Sequence, residues 1–166
     1  MKITSAEFLK SVTINDDKVY FDNRNEVVFI GRSNVGKSSL MNALMQKKDL
    51  VKTSSKPGKT RNANMFFVNK KYFFTDLPGY GFAKMGQAMK ADLDALISWY
   101  IAERREHIKR VVVLIDAKIG PQESDIDMYK YIVEHDMVPL IVLAKIDRLS
   151  KNEVQKSFFH AQEIFF

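Results

Sequence analysis

The chain has 166 residues, about one ordinary domain with room for a sizeable core, which leaves no space for two complete domains. Hydrophobic residues make up 46% and charged residues 28%, the balance of a globular chain rather than a disordered one, and the lack of cysteine excludes disulfides and thiolate metal sites. A net charge of +6 fits either an acidic partner such as RNA or an anionic membrane, or a merely solubilising surface.

The first residues, MKITSAEFLK, lack the apolar core of a signal peptide, and the longest apolar runs, VVVLI at 111–115 and VPLIVLA at 138–144, are too short to span a bilayer. The chain therefore reads as cytoplasmic. Thr4 with Glu7 reads as the capping box of a short N-terminal helix. EVVFIG at 26–31 has the pattern of a buried strand running into a glycine turn, and a helix follows over about 37–47. Residues 47–61 hold six basic residues and one acid, contain Pro and Gly, and show no periodicity, which predicts a mobile basic loop. ANMFFV and KYFFTD flank Asn69-Lys70 and predict two strands joined by a tight hairpin. Leu93, Leu96, Ile97, Tyr100 and Ile101 recur at helical spacing, with Asp92 and Asp94 near the start and Arg104, Arg105, Lys109 and Arg110 near the end, a charge order that suits the helix dipole. A strand (RVVVLIDA), a helix over about 121–135, a fifth strand ending in PLIVLAKID, and a last helix capped by Ser150 and Glu153 complete the chain. Strands alternating with helices imply an α/β fold, a mostly parallel sheet with helices on both faces.

The sharpest chemical signal is GRSNVGKSS at 31–39, which matches G-x-x-x-x-G-K-[ST] and lies between a strand and a helix, as a phosphate loop must. Gly31, Arg32, Ser33, Asn34, Val35, Gly36, Lys37, Ser38 and Ser39 would turn backbone N–H groups toward phosphate oxygens, with the helix N-terminus adding favourable partial charge. Lys37 would reach the β- and γ-phosphates, and the Ser38 hydroxyl would hold Mg²⁺. The second signal is Asp76-Leu77-Pro78-Gly79. Asp76 ends a strand beside the loop and can hold Mg²⁺ through its water shell, while the Gly79 N–H can meet a γ-phosphate. Between the two motifs, Thr60 or Thr53 offers a hydroxyl that could close on Mg²⁺ when the γ-phosphate is present. The third signal is Ala144-Lys145-Ile146-Asp147, a purine-reading corner with an unusual first residue.

GRSNVGKSSLMNAL, PGKTR, DLPGYGFAK and PQESD, in this order and spacing, resemble the EngB family (also called YihA or YsxC) of bacterial ribosome-assembly GTPases, and the likeness covers about residues 5 to 166. The resemblance implies a Ras-like P-loop fold in a single G domain, GTP and GDP as ligands, Mg²⁺, slow hydrolysis to GDP and phosphate, and a role in maturing the large ribosomal subunit with a link to cell division and septation. It implies an rRNA and ribosomal-protein partner, a monomer, and no membrane or DNA partner. By position, Pro57, Gly58, Lys59 and Thr60 would form the first switch, Asp76 to Gly79 the second, and Lys145 with Asp147 the guanine site, where the aspartate accepts from the base and the lysine stem covers it. Asn34 is similar to a loop asparagine that coordinates K⁺ beside the phosphates in related GTPases.

Three departures from that pattern carry their own expectations. Tyr80 stands where a Ras-type enzyme has a glutamine that orients the attacking water, which predicts slow intrinsic turnover. Ala144 replaces the Asn or Thr that braces the guanine corner, at a cost of about 1 kcal/mol for one lost hydrogen bond. The chain stops at HAQEIFF, before the last strand, the Ser-Ala-type loop and the closing helix of the family pattern, so the G domain is expected to be incomplete at its C-terminus.

Overall fold

A computed structural model describes residues 2–16, 23–52, 62–81 and 86–166. Six strands form one sheet: β1 (Ala6–Val12), β2 (Glu26–Gly31), β3 (Ala63–Val68), β4 (Tyr72–Asp76), β5 (Ile108–Asp116) and β6 (Pro139–Ala144), in the spatial order β1-β3-β4-β2-β5-β6. Only β3 opposes the rest. It pairs antiparallel with β1 and β4, whereas β4, β2, β5 and β6 pair in parallel. Among the described residues four α-helices accompany them: α1 (Lys37–Leu44), α2 (Gln87–Arg104), α3 (Glu123–Glu134) and α4 (Lys151–Phe165).

The central strands are continuous apolar runs because both faces of the sheet are covered, and their side chains sort alternately to the two faces. Val28 and Ile30 of β2, with Val111, Val113 and Ile115 of β5, pack with Ile97, Tyr100 and Ile101 of α2, Ile132 of α3 and Phe165 of α4. Phe29, Val112 and Leu114 face the other way, toward Met41 of α1 and Met45 just beyond it.

The N-terminal segment forms β1, not the expected helix. Thr4 does not cap: its N–H and hydroxyl both donate to Asn69 Oδ1, at 2.7 and 3.1 Å, and the Asn69 amide donates back to the Lys2 carbonyl at 2.9 Å. Long-range pairing with β3 thereby overrides a local capping signal. PLIVLA is consequently the sixth strand, not the fifth. The hairpin at Asn69-Lys70 is present, both residues at positive φ (51° and 52°), which is the type I′ geometry that matches strand twist. Lys109 and Arg110 belong to β5 rather than to the helix end, because the Glu26 N–H donates to the His107 carbonyl at 2.9 Å and draws the chain into the sheet there.

One buried polar cluster fastens α2 to the sheet. Glu26 Oε1 accepts from the Thr75 and Tyr100 hydroxyls, each at 2.5 Å, and Oε2 accepts from Arg104 Nε at 3.0 Å. Glu26 and Arg104 are 0% and 1% exposed, so their charges are compensated inside the protein rather than by water. Burial, then the Glu26 carboxylate, pushes the Tyr100 phenol well above its ordinary pKa, keeping it a donor. Among the described residues no helix is long and apolar enough to cross a membrane.

Candidate functional site

The parallel strands β4, β2, β5 and β6 end at the same edge of the sheet, in Asp76, Gly31, Asp116 and Ala144. In an open α/β sheet this carboxyl edge is where ligands bind. All the sequence-predicted residues that fall within the described segments lie here; Thr53, Pro57, Gly58, Lys59 and Thr60 fall outside them.

The phosphate loop leaves β2 at Gly31 and enters α1 at Lys37. Gly31 is required by packing, since a Cβ there would stand 2.8 Å from the Leu114 carbonyl oxygen of β5 and 3.0 Å from Val35. Gly36 is required by conformation: it is the N-cap of α1 at φ 107°, with open space where a side chain would be. No side chain caps this helix, so the N–H groups of its first turn, from Lys37, Ser38 and Ser39, are left for an outside acceptor. Val35 anchors the loop in the core at 3% exposure, and Asn34 is exposed at positive φ (65°).

Asp76 is 3% exposed, and its carboxylate accepts from Lys37 Nζ. The chain beyond it runs back along the phosphate loop: the Leu77 N–H donates to the Phe29 carbonyl (3.0 Å), and Pro78 is buried. Gly79 packs on Ser33, Arg32 bridges to Tyr80, and the Ser33 N–H donates to the Tyr80 carbonyl at 3.1 Å. The Tyr80 ring is buried, and its hydroxyl donates to Asp125 Oδ1 of α3 at 2.9 Å, so the phenol is committed to α3. Burial first, then the Asp125 carboxylate, pushes the Tyr80 phenol far up; Asp125 is itself raised by burial, in part offset by the Gln122 N–H, the Tyr80 hydroxyl and Arg32.

At the other end of the edge, Ala144 pairs with Asp116 in register, and the Ala117 N–H donates to the Ala144 carbonyl at 3.0 Å. Lys145 adopts a left-handed backbone (φ 61°) and opens a 3-10 turn, Ile146–Arg148. Its Nζ donates to Asp116 Oδ2 at 2.6 Å. Asp147 is exposed, with no hydrogen-bond partner among the described residues.

Two acidic residues of this edge escaped the sequence reading. Asp116 ends an apolar strand just as Asp76 does, and that placement was a usable signal. Asp125 was visible only as the end of PQESD, and nothing local marks it as the acceptor for Tyr80.

A family model described as "50S ribosome-binding GTPase" matches residues 26–145. The chain is 42% identical over 153 residues to "Probable GTP-binding protein EngB" of Natranaerobius thermophilus, covering 92% of this chain and 78% of that protein. It is 43% identical over 157 residues to the protein so named in Clostridium kluyveri, covering 95% and 79%. The chain belongs to the EngB family of GTPases. Among solved structures, this EngB-family chain resembles the crystal structure of a probable GTP-binding protein engB (TM-score 0.70, 26% identity, 84% of this chain and 80% of that one). It shares its fold with an Aquifex aeolicus Era structure (TM-score 0.66, 24% identity, 83% of this chain and 46% of that one). The EngB-family chain is thus a GTP-binding, ribosome-associated P-loop GTPase with a mostly parallel Ras-like sheet.

Proposed function

We propose that this GTPase is an assembly factor for the large ribosomal subunit: it engages a precursor particle with GTP bound, hydrolyses GTP slowly, and departs. The observation that carries this reading is the carboxyl edge of the sheet, which an uncapped helix N-terminus, Lys37 and a buried Asp76 share with Lys145 and with Asp147, the last without a hydrogen-bond partner among the described residues. A single G domain acting as a monomer in the cytoplasm, without membrane or DNA, fits it, and the link to cell division and septation would follow downstream of ribosome supply.

Each residue of the edge has a task in this reading. Backbone N–H groups from Gly31 to Ser39 hold the phosphates and Lys37 neutralises them. The hydroxyl of Ser38, the carboxylate of Asp76 and the hydroxyl of Thr60 are hard oxygen donors of the kind Mg²⁺ takes, so the donor set fits that ion. When bound, Mg²⁺ would offset charge on the phosphate oxygens. Gly79 offers its N–H to the γ-phosphate, and Asp147 accepts from the guanine N1–H and 2-amino group, a donor pair that adenine lacks. Tyr80, held by Asp125, leaves no glutamine-like group to orient water, which supports low intrinsic turnover. Asn34, exposed on the phosphate loop, would take K⁺ in this reading, and equal turnover in KCl and NaCl at matched ionic strength would remove that ion from the mechanism.

A basic surface at the opposite edge of the sheet supports an RNA partner. A cleft of 240 Å³ there is lined by Arg105, Lys109 and Arg110 together with Glu106 and Asp136. Arg105 is engaged by Asp136 at 2.7 Å, while Lys109 and Arg110 have no carboxylate partner among the described residues. Titration with fluorescent GDP, GTP and ATP, followed by co-sedimentation with ribosomal subunits over a salt series, tests the whole. Micromolar GDP binding that excludes ATP, with salt-sensitive binding to the large subunit, is expected. Equal affinity for ATP, or no subunit binding at low salt, overturns it.

A further inference from the structure

We infer that Asp116 is a positioning residue of the guanine corner, supplying from the neighbouring strand the brace that Ala144 lacks; this rests on the reading of Lys145 and Asp147 as guanine contacts. A polar side chain at position 144 would tie the corner to its surroundings by hydrogen bonds. Alanine cannot, yet the residue directly opposite it across the β5–β6 ladder is an aspartate. That aspartate takes hold of the next residue in the chain, accepting from Lys145 Nζ at 2.6 Å.

Both ends of this brace are themselves fixed. The second oxygen of Asp116 accepts from the Lys118 N–H at 3.0 Å, and more weakly from that of Ile119 at 3.4 Å, so the carboxylate is anchored by its own turn before it meets the lysine. Its side chain is only 13% exposed. Burial favours the neutral acid, but the hydrogen bond from Lys145 and the backbone N–H groups outweigh it and hold the carboxyl below the ordinary aspartate range. At the other end Lys145 starts from a left-handed backbone, which directs its side chain back across the edge, and the Arg148 N–H closes the turn onto the Lys145 carbonyl at 3.1 Å.

The functional consequence lies in the lysine stem. A lysine side chain is flexible, and ordering it costs entropy at whatever moment it is ordered. Pinning Nζ to Asp116 orders the four-carbon stem ahead of the base that it covers, so less freedom is lost on binding. Asp116 need not touch the nucleotide to do this.

A double-mutant cycle on the full chain tests it. Asp116→Asn keeps an acceptor for the Lys118 N–H while removing the charge that faces Lys145. It should weaken fluorescent-GDP binding by about fivefold to tenfold, the worth of a partly screened charge-assisted hydrogen bond, with the thermal midpoint little changed. In a Lys145→Ala background the same substitution should have no further effect, because its target is gone. An equal loss in both backgrounds makes Asp116 merely structural and overturns the inference. So does unchanged or tighter GDP binding by Asp116→Asn when Lys145→Ala weakens it. If Lys145→Ala and Asp147→Asn both leave GDP binding intact, the guanine reading itself has failed, an outcome distinct from the other two.

Discussion

Asp76→Asn separates the two partners that compete for Lys37. In the structure the ammonium of Lys37 is bonded to the Asp76 carboxylate, with the side chains 10% and 4% exposed. A phosphate can recruit Lys37 fully only by displacing that bond, whose worth is about 1.5–3 kcal/mol for a hydrogen bond between charged groups. Removing the carboxylate charge therefore returns that amount to a nucleotide bound without metal, roughly a tenfold to hundredfold gain in affinity. With Mg²⁺ supplied the sign reverses, since an asparagine holds the ion's water shell far less well than a carboxylate does. Fluorescent-GDP titrations of both proteins in EDTA and in excess Mg²⁺ read the crossing directly: the variant should bind more tightly than the wild type in EDTA and gain little from Mg²⁺. Weaker binding by the variant in EDTA would refute the competition, whatever happens with the metal.

The remaining expectations concern the buried Glu26 cluster, the Tyr80 contact and the far edge. Glu26→Ala takes the Glu26 carboxylate from the buried Arg104 guanidinium and from the Thr75 and Tyr100 hydroxyls, and should cost about 3–5 kcal/mol in urea unfolding. Asp125→Asn should change how stability depends on pH. The raised pKa of Asp125 means that the folded state holds its proton more tightly than the unfolded chain, so its destabilising contribution grows as pH rises from the ordinary aspartate value through the raised one. Thermal midpoints across that interval should fall with rising pH in the wild type relative to the variant. Reversing Lys109 and Arg110 to Glu should lower the salt slope of ribosomal-subunit binding by about two and leave GDP affinity unchanged.

How far the residues disclosed this structure varied with the range of the physics involved. The phosphate loop, the Asn69-Lys70 hairpin and the Ser150 cap of α4 were legible because each is set by a few neighbours in sequence; Ser150 and Glu153 do bond reciprocally, with the Ser150 N–H donating to Glu153 at 2.8 Å. β1 was not legible, because its partner strand is distant in sequence, with Val12 opposite Ala63 and Ala6 opposite Val68, and the local pattern Thr4-x-x-Glu7 pointed to a helix. The Tyr80–Asp125 bond is likewise a contact between a loop and a distant helix. Tyr80 announced only what it lacked, a glutamine's amide, and its actual engagement required the fold. Thr60, the first-switch hydroxyl expected on the metal, lies outside the described residues.

The two glycines of the phosphate-loop motif answer to the fold for different reasons. Gly31 is dictated by the backbone of β5, and a chain with this sheet would need a glycine there even if it never met a nucleotide. Gly36, at φ 107°, is dictated by its own turn into α1, whatever the space beside it. A homologue that had lost nucleotide binding but kept this turn would therefore be expected to keep both glycines and drift at Lys37 and Ser38, so the side-chain letters of the motif, not its glycines, are the diagnostic ones.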